Sequence, residues 1–223
     1  MDDTQVGSSL PDEKHHEGGF RPVAELIQAR KDRGADTVDG AHYGELIEQV
    51  RRLMDRTRLV NPSDELAKEA IATLEQLNAR LDTAVVDEWS SPSWTRTDLP
   101  ARGNITLPPY TVVSGDRDGV TAKVTFRTFH LGGNNAAHGG HIALAFDDII
   151  GMTAALATKS VTRTASLTLD YRSITPLNRE LTVRAWTERV EGRKVYLRAT
   201  LHNDDKLCAE AKGLFIVLNP GQP

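Results

Sequence analysis

Residues 140–159 constrain the fold of this chain more than any other stretch. Ile142, Ala143, Phe146, Ile149, Ile150, Met152, Thr153, Ala154 and Leu156 leave the run apolar nearly all the way around a helical wheel, and a helix of that kind belongs inside a domain. The rest of the chain must then supply the covering layer. Downstream, residues 163–172, 180–190, 194–203 and 207–218 are rich in β-branched and aromatic side chains. Glu191-Gly192 and Asn203-Asp204-Asp205 punctuate them as turns. Upstream, residues 121–129 alternate, with Ala122, Val124 and Phe126 on one face and Lys123, Thr125 and Arg127 on the other, which is the period of a half-buried strand. One or two strands, a buried helix and four more strands predict an α+β domain in which an antiparallel sheet curls around one long helix.

The N-terminal half has a different character. Residues 1–100 hold 12 Lys+Arg against 20 Asp+Glu, whereas residues 101–223 hold 15 against 11. Segment 1–40 combines glycine, serine, proline and charge with too few large apolar residues to offset ordering entropy, and is expected to be flexible. The adjacent His15 and His16 lie in that polar tail without the spacing of metal ligands, so no metal site is expected. Leu46, Ile47, Val50, Leu53 and Met54 form one helical stripe, and Leu66, Ala70, Ile71, Leu74, Leu77 and Leu81 form another behind an Asn61-Pro62 start. Residues 41–88 therefore predict a helical hairpin whose apolar face needs a partner, either the C-terminal domain or another subunit. Residues 89–104 read as a linker with Trp89 and Trp94 as docking residues, and 105–220 as the sheet-and-helix domain.

Several classes are excluded. The single cysteine, Cys208, allows no internal disulfide framework and is compatible with a reducing compartment. The acidic start lacks the basic and apolar regions of a secretory signal, so a cytoplasmic location is expected. Asp147 and Asp148 interrupt the most apolar run, so no membrane span is expected. The basic half lacks clustered cations with interleaved aromatics, which argues against nucleic acid, while a phosphorylated ligand fits its charge.

The chemistry concentrates at the head of the apolar helix. His138-Gly139-Gly140 stands where the helix starts, at the positive end of its dipole and with outward-facing amides. Such a site suits the oxyanion of an attacked carbonyl, although Gly-Gly also serves as a simple loop-to-helix turn. Asp147 and Asp148 are costly within an apolar helix unless they reach water, a partner or a cavity. Neighbouring positions point about 100° apart, so at most one faces the same cavity as a ligand. A general base or nucleophile is one reading, and an ion pair or a cap on a neighbouring subunit is the other.

His138-Gly139-Gly140, Asp147, Gly151, the strand from Thr164 to Tyr171, Pro176-Leu177, Glu191-Gly192-Arg193-Lys194 and the terminal Leu214 to Pro220 together resemble the hotdog-fold acyl-CoA thioesterases. Within them the chain is most similar to the phenylacetate-pathway-type (PaaI-like) branch and the related THEM group. The resemblance covers about residues 105–220. It implies a hotdog fold, a homodimer or homotetramer with sites at subunit interfaces, acyl-CoA as substrate, no cofactor, and hydrolysis to free acid and CoA. It further implies that the Gly140 backbone N–H donates to the oxyanion, with His138 and Gly139 shaping the loop. Asp147 would be the base or nucleophile, and Thr164 of the partner subunit would orient the water. Arg172, Arg193 and Lys194 would be candidates for the CoA phosphates. His141 and the second carboxylate, Asp148, depart from the usual pattern. Acyl-thioester dehydration and non-catalytic acyl-CoA binding stand as alternatives.

Overall fold

A computed structural model describes residues 41–87, 90–219 and 222. Segment 1–40, with His15 and His16, and Trp89 lie outside the described residues.

The elements run α1 (Tyr43–Thr57), α2 (Asp64–Leu81), β1 (Tyr110–Gly115), β2 (Gly119–Thr125), a two-strand ribbon of β3 (Leu131–Gly133) and β4 (Ala136–Ala137), α3 (Gly139–Thr158), then β5 (Thr162–Tyr171), β6 (Glu180–Glu191), β7 (Lys194–Asn203) and β8 (Lys206–Val217). The main sheet is antiparallel, in the order β1-β2-β6-β7-β8-β5. Alternate residues of four strands point to one side: Val120, Ala122 and Val124, then Leu181, Val183 and Ala185, then Val195, Leu197, Ala199 and Leu201, then Ala209, Ala211 and Phe215. Against them α3 buries Ile142, Ala145, Phe146, Ile149, Ile150 and Ala154. A strand period of two meets a helix period of 3.6, and the expected sheet-around-helix core results. Gly213 permits the close approach of the two layers, since a Cβ there would stand 3.0 Å from Ile150 Cγ2.

The helix is not covered all round. Gly140, Leu144, Asp147, Gly151 and Ala155, spaced at helical intervals, lie on its open side, with Gly140, Leu144 and Ala155 exposed. By length and composition alone α3 is long enough and apolar enough to cross a membrane, its two aspartates notwithstanding. Here the sheet packs along its other side.

Residues 90–104 contain little regular structure yet are firmly seated, with Thr95, Ala101 and Asn104 buried. The first helix is seated too, by a face that overlaps the expected stripe at Ile47, Val50 and Met54, which are half-buried. Leu46 and Leu53 are exposed, whereas Arg51 is buried and donates through Nη2 to the Asn104 carbonyl at 2.9 Å. Beside it, Arg127 donates to Glu48 (2.7 and 3.0 Å) and to Asp55 Oδ2 (2.6 and 2.8 Å). Burial works against the Arg127 charge, but these carboxylates outweigh it and hold its pKa above the usual value. The second helix is capped by Ser63, whose Oγ accepts from the Leu66 N–H at 3.2 Å. It buries none of its residues, and Leu66, Ile71, Leu77 and Leu81 are exposed.

Candidate active site at the head of the central helix

The loop into α3 ends at His138, whose extended backbone makes it the N-cap and whose Nδ1 accepts the Gly140 N–H at 2.9 Å. The amide expected to face a substrate oxygen is therefore engaged by the imidazole. Gly139 is the first helical residue, so its N–H has no acceptor within the helix. Its carbonyl accepts the Tyr171 hydroxyl at 2.9 Å, and a Cβ at Gly139 would come within 2.9 Å of that hydroxyl oxygen. Only glycine lets the tyrosine lie so close.

The two aspartates separate as the helical geometry requires. Asp147 turns to the open side, where Thr164 Oγ1 donates to its Oδ1 at 2.8 Å. Thr164 sits beside an irregularity in the β5–β8 register between Thr164 and Ser166, a place where a bulge re-aims side chains. The resemblance implied a Thr164 arriving from a partner subunit, whereas the hydroxyl found here belongs to the same chain. β5 thus brackets the site, with Thr164 at the carboxylate and Tyr171 at the glycines.

Asp148 turns inward. Arg102 Nη2 reaches its two oxygens at 2.8 and 3.1 Å, the Tyr110 hydroxyl donates to it, and Arg102 Nη1 donates to Tyr110. Both charged side chains are largely buried, at 12% and 13% exposure. Burial disfavours the Arg102 charge, yet Asp148 and Tyr110 raise its pKa overall. Burial and then the Asp148 charge push the Tyr110 phenol up. The Trp94 ring lies 5.1 Å from the guanidinium. Asp148 is thus committed to an internal ion pair, the second of the two readings open for the aspartates.

Three of the cations expected at a phosphate separate into two groups. Arg172 follows β5, its N–H bonded to the Cys208 carbonyl, and its guanidinium holds Glu210 at 2.5–2.7 Å and Asp170 at 3.2 Å. Arg193 and Lys194 lie at the β6–β7 turn, where the Arg193 carbonyl accepts the Val217 N–H. Positions 208 and 217 of β8 are about 30 Å apart at strand spacing, so within one chain the two groups do not meet.

His130 is fully buried between Phe126, Phe129 and His141. Its Nδ1 accepts the Arg127 N–H at 2.7 Å, and its carbonyl accepts the His138 N–H at 2.8 Å. Burial, followed by the neighbouring His141, pushes its pKa down to about 3. Below the ordinary value of 6.5 the unfolded chain binds a proton that the folded chain refuses, so stability is lost as pH falls from 6.5 towards 3. Denaturant titrations should show a slope of up to about 1.4 kcal/mol per pH unit in that window. His130→Phe should flatten it, and an unchanged slope in that variant would contradict the assignment.

A sheet wrapped around a helix, with the Gly139 N–H unpartnered within the helix at its head and a carboxylate on its open side, defines a hotdog domain. Residues 134–209 match the family model described as thioesterase superfamily. Acyl-coenzyme A thioesterase THEM4 of Rattus norvegicus is 35% identical over 88 residues, 39% of this chain and 37% of that protein. Its counterpart from Xenopus laevis is 39% identical over 85 residues, 37% of this chain and 38% of that protein. The matched region thus spans little more than a third of these curated relatives. A thioesterase superfamily protein of known crystal structure superposes with a TM-score of 0.69 at 24% identity, covering 79% of this chain and 96% of the other. That coverage is more than the hotdog segment could supply alone, so the likeness in fold extends into the N-terminal half.

Sequence reasoning missed Tyr171, the Arg102–Tyr110 pair on Asp148, and the buried His130. Tyr171 and His130 each follow an alternating run, where period indicates a strand and says nothing of what its end touches.

Proposed function

We propose that this chain hydrolyses acyl-CoA thioesters to free acid and CoA. The observation that carries the reading is Asp147, a carboxylate on the open side of an otherwise apolar helix, with one oxygen held by Thr164. The other oxygen, Oδ2, is assigned to a water molecule. Asp147 takes a proton from that water, the oxygen attacks the thioester carbon, and the carbonyl oxygen becomes an oxyanion. Gly139 precedes Asp147 by eight residues, about 12 Å along α3, too far for both to act on one carbonyl within a chain. The oxyanion donor is therefore assigned to the Gly139 N–H of a second protomer, in place of Gly140, whose amide His138 occupies. The C–S bond then breaks, and the departing CoA sulfur takes the proton from Asp147. His138 holds the loop in shape and Tyr171 fixes the Gly139 peptide. Arg193 and Lys194 are assigned to the CoA phosphates, because Arg172 is already paired with two carboxylates.

A homodimer fits this reading. The open side of α3 carries the carboxylate, and β5 beside it is one of the two edges of the sheet. A second protomer laid there would wall the site.

Purified protein incubated with short, long and aromatic acyl-CoAs should release free thiol from at least one class. Calorimetry showing saturable binding without thiol release across the panel would overturn the reading in favour of a binding protein. Thiol-independent loss of water from a 3-hydroxyacyl-CoA would favour dehydration instead.

A further inference from the structure

The segment that delivers the chain to the glycine loop is gripped from outside the hotdog domain, by α1. Asp55 accepts the Phe129 N–H through Oδ1 at 3.1 Å while its Oδ2 binds the Arg127 guanidinium. Glu48, two turns earlier on the same helix, binds the other edge of that guanidinium. Arg58, just past the helix end, donates to the Leu131 carbonyl at 3.1 Å. Residues 127, 129 and 131 are therefore each tied to the N-terminal helix. The contacts continue inward without a break: the Arg127 N–H meets His130 Nδ1, the His130 carbonyl meets the His138 N–H, and His138 Nδ1 caps Gly140.

The geometry points to Asp55, with Glu48 and Arg127, as positioning residues for the glycine loop, making α1 part of the working site although it supplies no reacting group. The functional half of this inference rests on the proposed thioester hydrolysis. The structural half does not. A loop whose amides must meet a developing oxyanion tolerates little displacement, and about 1 Å of misplacement can cost on the order of 100-fold in rate. Asp55 is a separate clamp from the Asp148 pair, which holds residues 102 and 110 rather than the loop.

The test compares the full-length wild type with Asp55→Ala and Asp55→Asn. Asparagine keeps an acceptor for the Phe129 N–H while losing the charge on Arg127, and carries the test should the alanine variant fail to fold. Backbone hydrogen exchange is read at residues 128–141, with β7 and β8 as internal reference. Asp55→Ala should accelerate exchange at 128–141 by at least about tenfold with β7 and β8 unchanged, and Asp55→Asn should fall between it and wild type. In parallel, kcat on the best acyl-CoA should fall about 10- to 100-fold in Asp55→Ala with KM held within about twofold. Unchanged exchange at 128–141, acceleration spread evenly over the sheet, or faster loop exchange with unaltered kcat would each overturn the inference. A wild type that turns over no acyl-CoA sinks the hydrolase reading alone, and the exchange pattern still decides whether α1 positions the loop.

Discussion

Asp147→Ala should lower kcat for the proposed acyl-CoA hydrolysis by about 100- to 10,000-fold, the range expected when a positioned general base is removed. KM should change little, because the carboxylate acts on water rather than on the CoA moiety. The fold should survive, since Asp147 lies on the open side of α3 and its side chain bonds only Thr164 among the described residues. Asp147→Asn is the sharper variant. It keeps an oxygen for Thr164 and removes only basicity, so it should lose nearly as much activity as alanine. Wild-type rates in either variant would sink the mechanism. A single turnover in heavy-oxygen water separates base from nucleophile: a general base leaves solvent oxygen in the first acid released, whereas a nucleophilic carboxylate leaves its own.

The largest expected loss of stability comes from Arg102→Ala. Arg102 and Asp148 are largely buried, and removing one partner strands the other charge away from water. Breaking such a pair costs about 3 to 5 kcal/mol. For a chain of this size that corresponds to a Tm lowered by roughly 6 to 20 °C. The double change Arg102→Met with Asp148→Leu should recover much of the loss, because apolar side chains need no compensating charge there. A Tm within about 2 °C of wild type for Arg102→Ala would show that the pair is far more hydrated than its exposure indicates.

The fold was legible because period and composition are local. An all-round apolar helix followed by four β-rich segments admits few arrangements other than a sheet around a helix, and residues 140–159 needed no partner to reveal their place. The division between Asp147 and Asp148 was legible in outline, since adjacent helical positions diverge by about 100°. Which of them turned inward was not, because it depends on Arg102 and Tyr110, 46 and 38 residues away in the chain. The same limit explains α1. Its apolar stripe of Leu46, Ile47, Val50, Leu53 and Met54 is half-buried at Ile47, Val50 and Met54 and exposed at Leu46 and Leu53, while Glu48, Arg51 and Asp55 join the contact, drawn round by Arg127 and the Asn104 carbonyl. Hydrophobic periodicity registers apolar faces and is silent on a face seated by charge. The histidine cap on the Gly140 amide lay outside that reading too, because which amide of the first turn an N-cap side chain takes is a matter of angstroms that periodicity does not register.

The Arg102–Asp148 pair also sets where the domain can be cut. The homology boundary near residue 105 suggests a fragment that keeps every strand, the central helix and Asp147. Such a fragment discards Arg102 and keeps Asp148, leaving a carboxylate in the interior with only Tyr110 to answer it. A stable fragment is therefore expected to begin ahead of that boundary with Arg102 retained, since the residues that look like a tether bury Thr95, Ala101 and Asn104 as well.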